Sequence, residues 1–209
     1  MHFASSPDEV TSITDAAIAD ADALVTDLVS ASDRTWDSTM APLDAIADRL
    51  GRAFGAGAFM GYVHPEEAVR TAARAAEERL QQWSVELAFR DDLYRAVSEY
   101  KETEDAARLT GEHKRLLDFT LRDLRRAGHE LAPEVRAEVK KLTSRLVELG
   151  VAFEQNIAEH KDALVVTREY LAGLSDSYVE GLEAGEEECT YRVTMAYPDV
   201  VPFMEMAER

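Results

Sequence analysis

Residues Arg115 to Ile157 read RLLDFTLRDLRRAGHELAPEVRAEVKKLTSRLVELGVAFEQNI. Two apolar rows of helical spacing run through this stretch, parted by one interruption. Leu116, Leu117, Leu121 and Leu124 form the first row. Val135, Val139, Leu142, Leu146, Leu149, Phe153 and Ile157 form the second, at intervals of three and four residues that keep one helix face apolar. Lys140, Lys141, Arg145 and Glu148 decorate the opposite side. Gly128 ends the first helix, and Leu131-Ala132-Pro133-Glu134 starts the second. Proline fits an opening helical turn, and an acid there meets the positive end of the helix dipole. Long helices joined by short breaks are thus the dominant element.

The interruption holds His129-Glu130, the first two letters of the metal-binding pattern H-E-x-x-H. That pattern needs a second histidine four residues on, so that both rings share one helix face. Position 133 is Pro133, which carries no ligand and disfavours helical geometry at Ala132. His129 and Glu130 therefore read as a helix junction.

Helical spacing also governs the sequence upstream. Thr11 or Thr14 is the expected cap of a first helix, with Ile13, Ala17, Ala21, Leu24 and Leu28 on one stripe. Trp36, Met40, Leu43, Leu50 and Phe54 form a second stripe, beginning or bending near Pro42 and running into glycines 51, 55, 57 and 61. Those glycines mark close helix packing or a helix break. His64-Pro65-Glu66-Glu67 opens a long helix with the stripe Val69, Ala73, Ala76, Leu80, Trp83, Leu87, Tyr94 and Val97. A fourth helix is expected over roughly 105–126. All these stripes are expected to be core.

The pattern changes after about Lys161. Ala163 to Val166 is strand-like, Tyr170 to Leu174 is a turn, and Ser175 or Asp176 caps a short helix to Leu182. Gly185 to Glu188 is a polar turn. Tyr191, Val193, Met195 and Tyr197 alternate with polar or small residues, the period of a strand. Pro198-Asp199 begins a last helix carrying Val201, Phe203, Met204 and Met206. The expected fold is mainly α: long antiparallel helices in a bundle-like array over residues 1–163, then a small mixed α/β segment over 164–209. The last helix runs to Glu208-Arg209 without a cap, so we expect a longer parent protein, with exposed apolar surface between Val165 and Arg209.

The chain has 209 residues, 46% of them hydrophobic, and a formal net charge of −18. It is long enough for a core and too apolar for disorder. Its field repels nucleic acid and anionic membranes, so neither is an expected partner. The longest apolar run, Ala53 to Val63, is shorter than the ~18 residues a membrane span requires. MHFASSPDEV has no basic start and no apolar core, so no secretory signal is expected; with Cys189 the single cysteine, a cytoplasmic setting is expected. Glu186, Glu187 and Glu188 beside Cys189 disfavour its thiolate.

His2, His64, His113, His129 and His160 include no pair four apart on one helix face. Asp15, Asp20, Asp22, Asp27 and Asp33 lack the glycine and closing glutamate of a calcium loop and read as a solvated helix face. No phosphate-binding or nucleophile-elbow pattern is present. The residues thus offer no catalytic and no metal site.

Several segments, in order, are similar to one family: Thr35 to Thr39 (TWDST), Asp92-Leu93-Tyr94, Arg115 to Leu131, Leu146 to Ile157, Tyr170 to Leu174 (YLAGL) and Tyr191 to Ala207 (YRVTMAYPDVVPFMEMA). The chain resembles the N-terminal region of the thimet oligopeptidase, neurolysin and dipeptidyl carboxypeptidase family of zinc metallopeptidases. The resemblance implies a mostly helical two-lobed protein with a deep channel for short peptides. It implies zinc and H-E-x-x-H in a C-terminal half that this chain lacks, so no ligand or base carries over to any position here. On this reading the chain is a non-catalytic channel wall. Its partners are the catalytic C-terminal half of the same polypeptide and short peptides, and zinc belongs to the parent. The alternative is a free-standing helical interaction or regulatory protein.

Overall fold

The computed structural model describes residues 2–158 and 160–208. The chain forms two compact units, 1–153 and 154–209. This division falls inside a helix, ten residues before the change of sequence character near 163.

In the first unit, α1 spans Pro7–Ser30. Its cap is Ser6, whose hydroxyl accepts the Glu9 amide at 3.3 Å, and Pro7 takes the first helical position. Thr11 and Thr14 are therefore interior, not caps: each hydroxyl donates back to a carbonyl four residues earlier, Pro7 and Val10. The buried stripe is Val10, Thr14, Ala21, Val25 and Leu28; Ile13, Ala17 and Leu24 only flank it.

Thr35 and Ser38 form a reciprocal capping box that starts a widened turn, Trp36–Met40, running into α2, Ala41–Ala53. Asp105 holds this entry from outside, accepting the Trp36 amide at 3.0 Å. A second widened turn, Phe54–Ala58, leads to the short α3, Met60–Val63. Of the glycines here, Gly61 sits in the tightest contact, whereas Gly51 has open space around it. A Cβ on Gly57 would lie 3.6 Å from Ile13 Cγ2, and one on Gly61 3.3 Å from Arg74 Cγ.

The long third helix is two helices, α4 (Glu67–Ala88) and α5 (Asp91–Lys101). Arg90 turns extended between them, and its guanidinium pairs with Asp92 at 2.6 Å. The apolar phase continues across the break, so periodicity alone does not reveal it. The fourth helix is likewise divided, into α6 (Glu104–Ala107) and α7 (Gly111–Leu124), and a widened turn ends it at Gly128 with φ 97°. One core gathers Leu28, Met40, Leu93, Val97, Tyr100, Leu117, Leu121 and Leu124. Another joins Val10, Ala58, Val69, Ala73 and Leu80, and a third Ala21, Val25 and Ile46.

Helix α8, Pro133–Ala158, forms where the sequence places it. Its apolar row is not core. Val135, Leu142, Leu146, Leu149, Phe153 and Ile157 are all exposed, Leu146 by 68%, and only Val139 is half-buried. The physical reason is that α8 meets α4 and α5 through its other face, by way of Arg136, Lys140 and the Ser144 carbonyl.

The second unit is an antiparallel sheet in the order β1-β3-β2, from β1 (Ala163–Thr167), β2 (Glu183–Ala184) and β3 (Thr190–Thr194). Leu164 opposes Val193 and Val166 opposes Tyr191. Met195 and Tyr197 lie beyond the strand that their alternation suggested and are exposed. Ser175 caps α9 (Asp176–Gly181), and α10 is Tyr197–Met206. The core is Leu171, Leu174, Val179 and Val193. Leu164, Val165, Tyr170, Met204 and Met206 are exposed.

Gly173 closes the turn before α9 at φ 93°, and the Glu208 amide donates to the neighbouring Ala172 carbonyl at 3.0 Å. A Cβ on Gly173 would overlap the Met206 carbonyl oxygen. Gly173→Ala is expected to destabilise this unit by about 2 kcal/mol, through left-handed strain and the displaced α10 end. Hydrogen exchange at the β1 and β3 amides checks this; unchanged protection contradicts it.

Candidate functional site

The histidines occupy separate places. His129 is a junction residue, its side chain fully buried. Its ring stacks on Tyr94 at 4.8 Å between centroids, and Nε2 donates to the Ala88 carbonyl at 2.8 Å. That bond fixes the proton on Nε2 and turns Nδ1 toward Arg136 and Asp91, each at 3.3 Å. His113 stacks on Trp36 at 4.1 Å, His64 Nδ1 accepts the Glu66 amide, and His160 lies 3.0 Å from Asp162. His2 faces Glu9 at 3.6 Å. Among the described residues, no group of three or more His, Cys, Asp or Glu is placed to hold a metal ion. The zinc that the family resemblance implies finds no fitting ligand set among these described residues.

The acids of α1 bridge helices as well as face solvent. Asp15 pairs with Arg79 at 2.6 Å, Asp20 with Arg49 at 3.0 Å, and Asp22 accepts the Trp83 indole N–H at 2.8 Å. A recess of about 180 Å³ opens beside Asp22, Val25, Trp83, Glu86, Leu87 and Arg90. Its polar groups are engaged: Trp83 holds Asp22, Lys140 reaches Glu86 at 2.6 Å, and Arg90 holds Asp92. The Arg90 hydrogen bond keeps the Asp92 carboxyl below its ordinary range. Cys189 sits exposed in the β2–β3 turn at φ 63°.

The feature that sequence reasoning missed is the setting of α8. Arg136 grips Asp91 with two bonds, at 2.5 and 2.8 Å, Lys140 reaches Glu86, and Gln82 Nε2 donates to the Ser144 carbonyl at 3.0 Å. Polar contacts hold the first three turns of α8 to the α4–α5 corner. The apolar row on the other side stays uncovered. The signal was present in Arg136 and Lys140, two long cations one turn apart on one face; Lys140 reads as decoration of the polar side, and Arg136 draws no attention in the sequence.

His129→Ala removes a buried ring, its stack and the Ala88 bond, so a loss of about 2–3 kcal/mol is expected. Urea unfolding measures it. Equal midpoints for the two proteins contradict the junction role.

Residues 14–136, more than half of the chain, match the family model described as Neurolysin/Thimet oligopeptidase, N-terminal domain. The chain belongs to this family. The match covers the helices from α1 to the first turn of α8, the part built on the three cores. The chain is 27% identical over 180 residues to a thimet-like oligopeptidase of Dictyostelium discoideum, covering 82% of this chain and 26% of that protein. It is 26% identical over 176 residues to oligopeptidase A of Escherichia coli, covering 81% and 26%. For oligopeptidase A of Salmonella typhimurium the figures are 26% over 205 residues, 95% and 30%. This neurolysin/thimet oligopeptidase N-terminal domain thus spans between a quarter and a third of the length of these relatives. No helix among its described residues is long and apolar enough to cross a membrane.

Proposed function

We propose that this chain is the N-terminal, non-catalytic domain of a zinc-dependent oligopeptidase that hydrolyses short peptides. It forms one wall of the substrate channel, and the catalytic half with its zinc lies in the same longer polypeptide, in the cytoplasm. The observation that carries this reading is the family match over 14–136, together with alignments that take in four-fifths of this chain but about a quarter of each relative. The exposed Tyr197, Met204 and Met206 of the second unit support it as surface for the polypeptide that follows. Residues 164–209 are then the start of the next part of the peptidase.

A free-standing interaction protein is the second reading, favoured by the uncovered row on α8. Following the reading frame beyond Arg209 separates the two. Continuation into a histidine-glutamate zinc helix supports the peptidase; a stop codon directly after Arg209 overturns it.

A further inference from the structure

We propose that α8 is a latched arm, which leaves the α4–α5 corner as one unit while the three cores of the first unit stay folded. The helix spans 26 residues, and none of its described residues is buried. The buried residues of the three cores lie between Ala4 and Leu124 and include none from α8. The side of α8 that turns inward is Arg136, Val139, Lys140, Thr143, Ser144 and Val147, each half-buried. A segment with so little buried apolar surface opens at a lower free energy than the cores around it.

The latch is polar. The Arg136 guanidinium grips Asp91 with two bonds, at 2.5 and 2.8 Å, and Lys140 Nζ donates to Glu86 at 2.6 Å. Gln82 Nε2 donates to the Ser144 carbonyl at 3.0 Å. The Asp91 and Glu86 side chains are each 62% exposed. Ion pairs this open to water hold weakly, and salt screens them. Apolar packing in the cores is not screened in this way.

The arm also has a fixed root. His129 is fully buried at its side chain, and Nε2 donates to the Ala88 carbonyl. Gly128 before it takes the left-handed bend, at φ 97°. Residues 130–135 then follow, all of them exposed. The chain beyond His129 therefore turns without disturbing a core. Asp91, Glu86, Arg136 and Lys140 set how often the arm is free. This latch does not depend on the peptidase reading, and no outcome below bears on that reading.

Amide hydrogen exchange on the 209-residue chain tests the latch, at about 0.01 M and about 1 M NaCl, where the screening length falls from roughly 30 Å to roughly 3 Å. Protection at Val139, Leu142 and Thr143 is expected to fall about 10-fold in the higher salt, as two pairs of this exposure allow. Protection at Val97, Leu117 and Leu121 is expected not to fall. The double variant Glu86→Gln with Asp91→Asn is expected to show the same loss in α8 at low salt. Both changes lie outside α8, so a fall within α8 reads undocking and not an altered helix propensity. The salt comparison needs no substitution, so it stays decisive if the variant does not fold. Protection of α8 that salt leaves unmoved, or that the folded variant leaves unmoved, overturns the proposal. An equal fall at Val97, Leu117 and Leu121 also overturns it, because α8 would then open only with the cores.

Discussion

Tyr100→Ala is expected to lower the stability of the first unit by about 3–5 kcal/mol, as removal of a fully buried aromatic ring does. Tyr100 has no exposed surface and sits among Leu28, Met40, Leu93, Val97 and Leu117. Its hydroxyl donates to Asp105 Oδ2 at 2.9 Å, the oxygen that also accepts the Trp36 amide. One side chain therefore joins the core to the cap that starts α2. Tyr100→Phe keeps the ring and is expected to cost about 1 kcal/mol, since Asp105 retains its second donor.

The two variants also differ in alkali. Burial, then the hydrogen bond to Asp105, pushes the Tyr100 phenol from 10.0 up to about 12. Folding favours the neutral phenol. Its contribution is complete below pH 10 and is lost as pH rises through the folded value near 12. Urea midpoints of the wild type should fall over that window, and those of Tyr100→Phe should fall less. Parallel pH profiles, or an unchanged midpoint in Tyr100→Ala, contradict the assignment.

Val193→Asp is expected to unfold the second unit outright while leaving the first folded. The second unit rests on four buried residues, and Val193 is the buried side chain of its central strand. A carboxylate there has no partner and costs more than so small a core supplies. The first unit holds three cores of its own. Hydrogen exchange should show lost protection at β1 and β3 and unchanged protection at Val97, Leu117 and Leu121. Loss of protection in both units would show that they do not stand apart.

The fold was largely legible because burial in helices repeats every three or four residues. Val69, Ala73, Ala76 and Leu80 are buried as their spacing requires. The strand at Ala163, the cap at Ser175 and the stop at Gly128 each follow from local chemistry. Breaks that preserve the apolar phase were not legible. Arg90 parts two helices whose stripe continues from Leu87 to Tyr94. Glu77 was also hidden. It lies on the buried face of α4, and only the fold brings the Tyr62 hydroxyl within 2.9 Å of its carboxylate. The α8 row misled for a deeper reason. Periodicity says that a face is apolar, not what covers it, and here polar bonds from Arg136 and Lys140 choose which face turns inward. The His129 site was legible as a junction through Pro133, but its partners Tyr94, Ala88 and Asp91 come from a different helix pair.

Under the proposed function this domain is a wall of a peptidase whose chemistry lies in the rest of the polypeptide. Hydrolysis of a quenched fluorescent oligopeptide in the presence of zinc tests it most directly, measured on the 209-residue chain and on the polypeptide encoded when its reading frame is followed downstream. The account predicts no hydrolysis by the first and chelator-sensitive hydrolysis by the second. Chelator-sensitive hydrolysis by the 209-residue chain itself would contradict it.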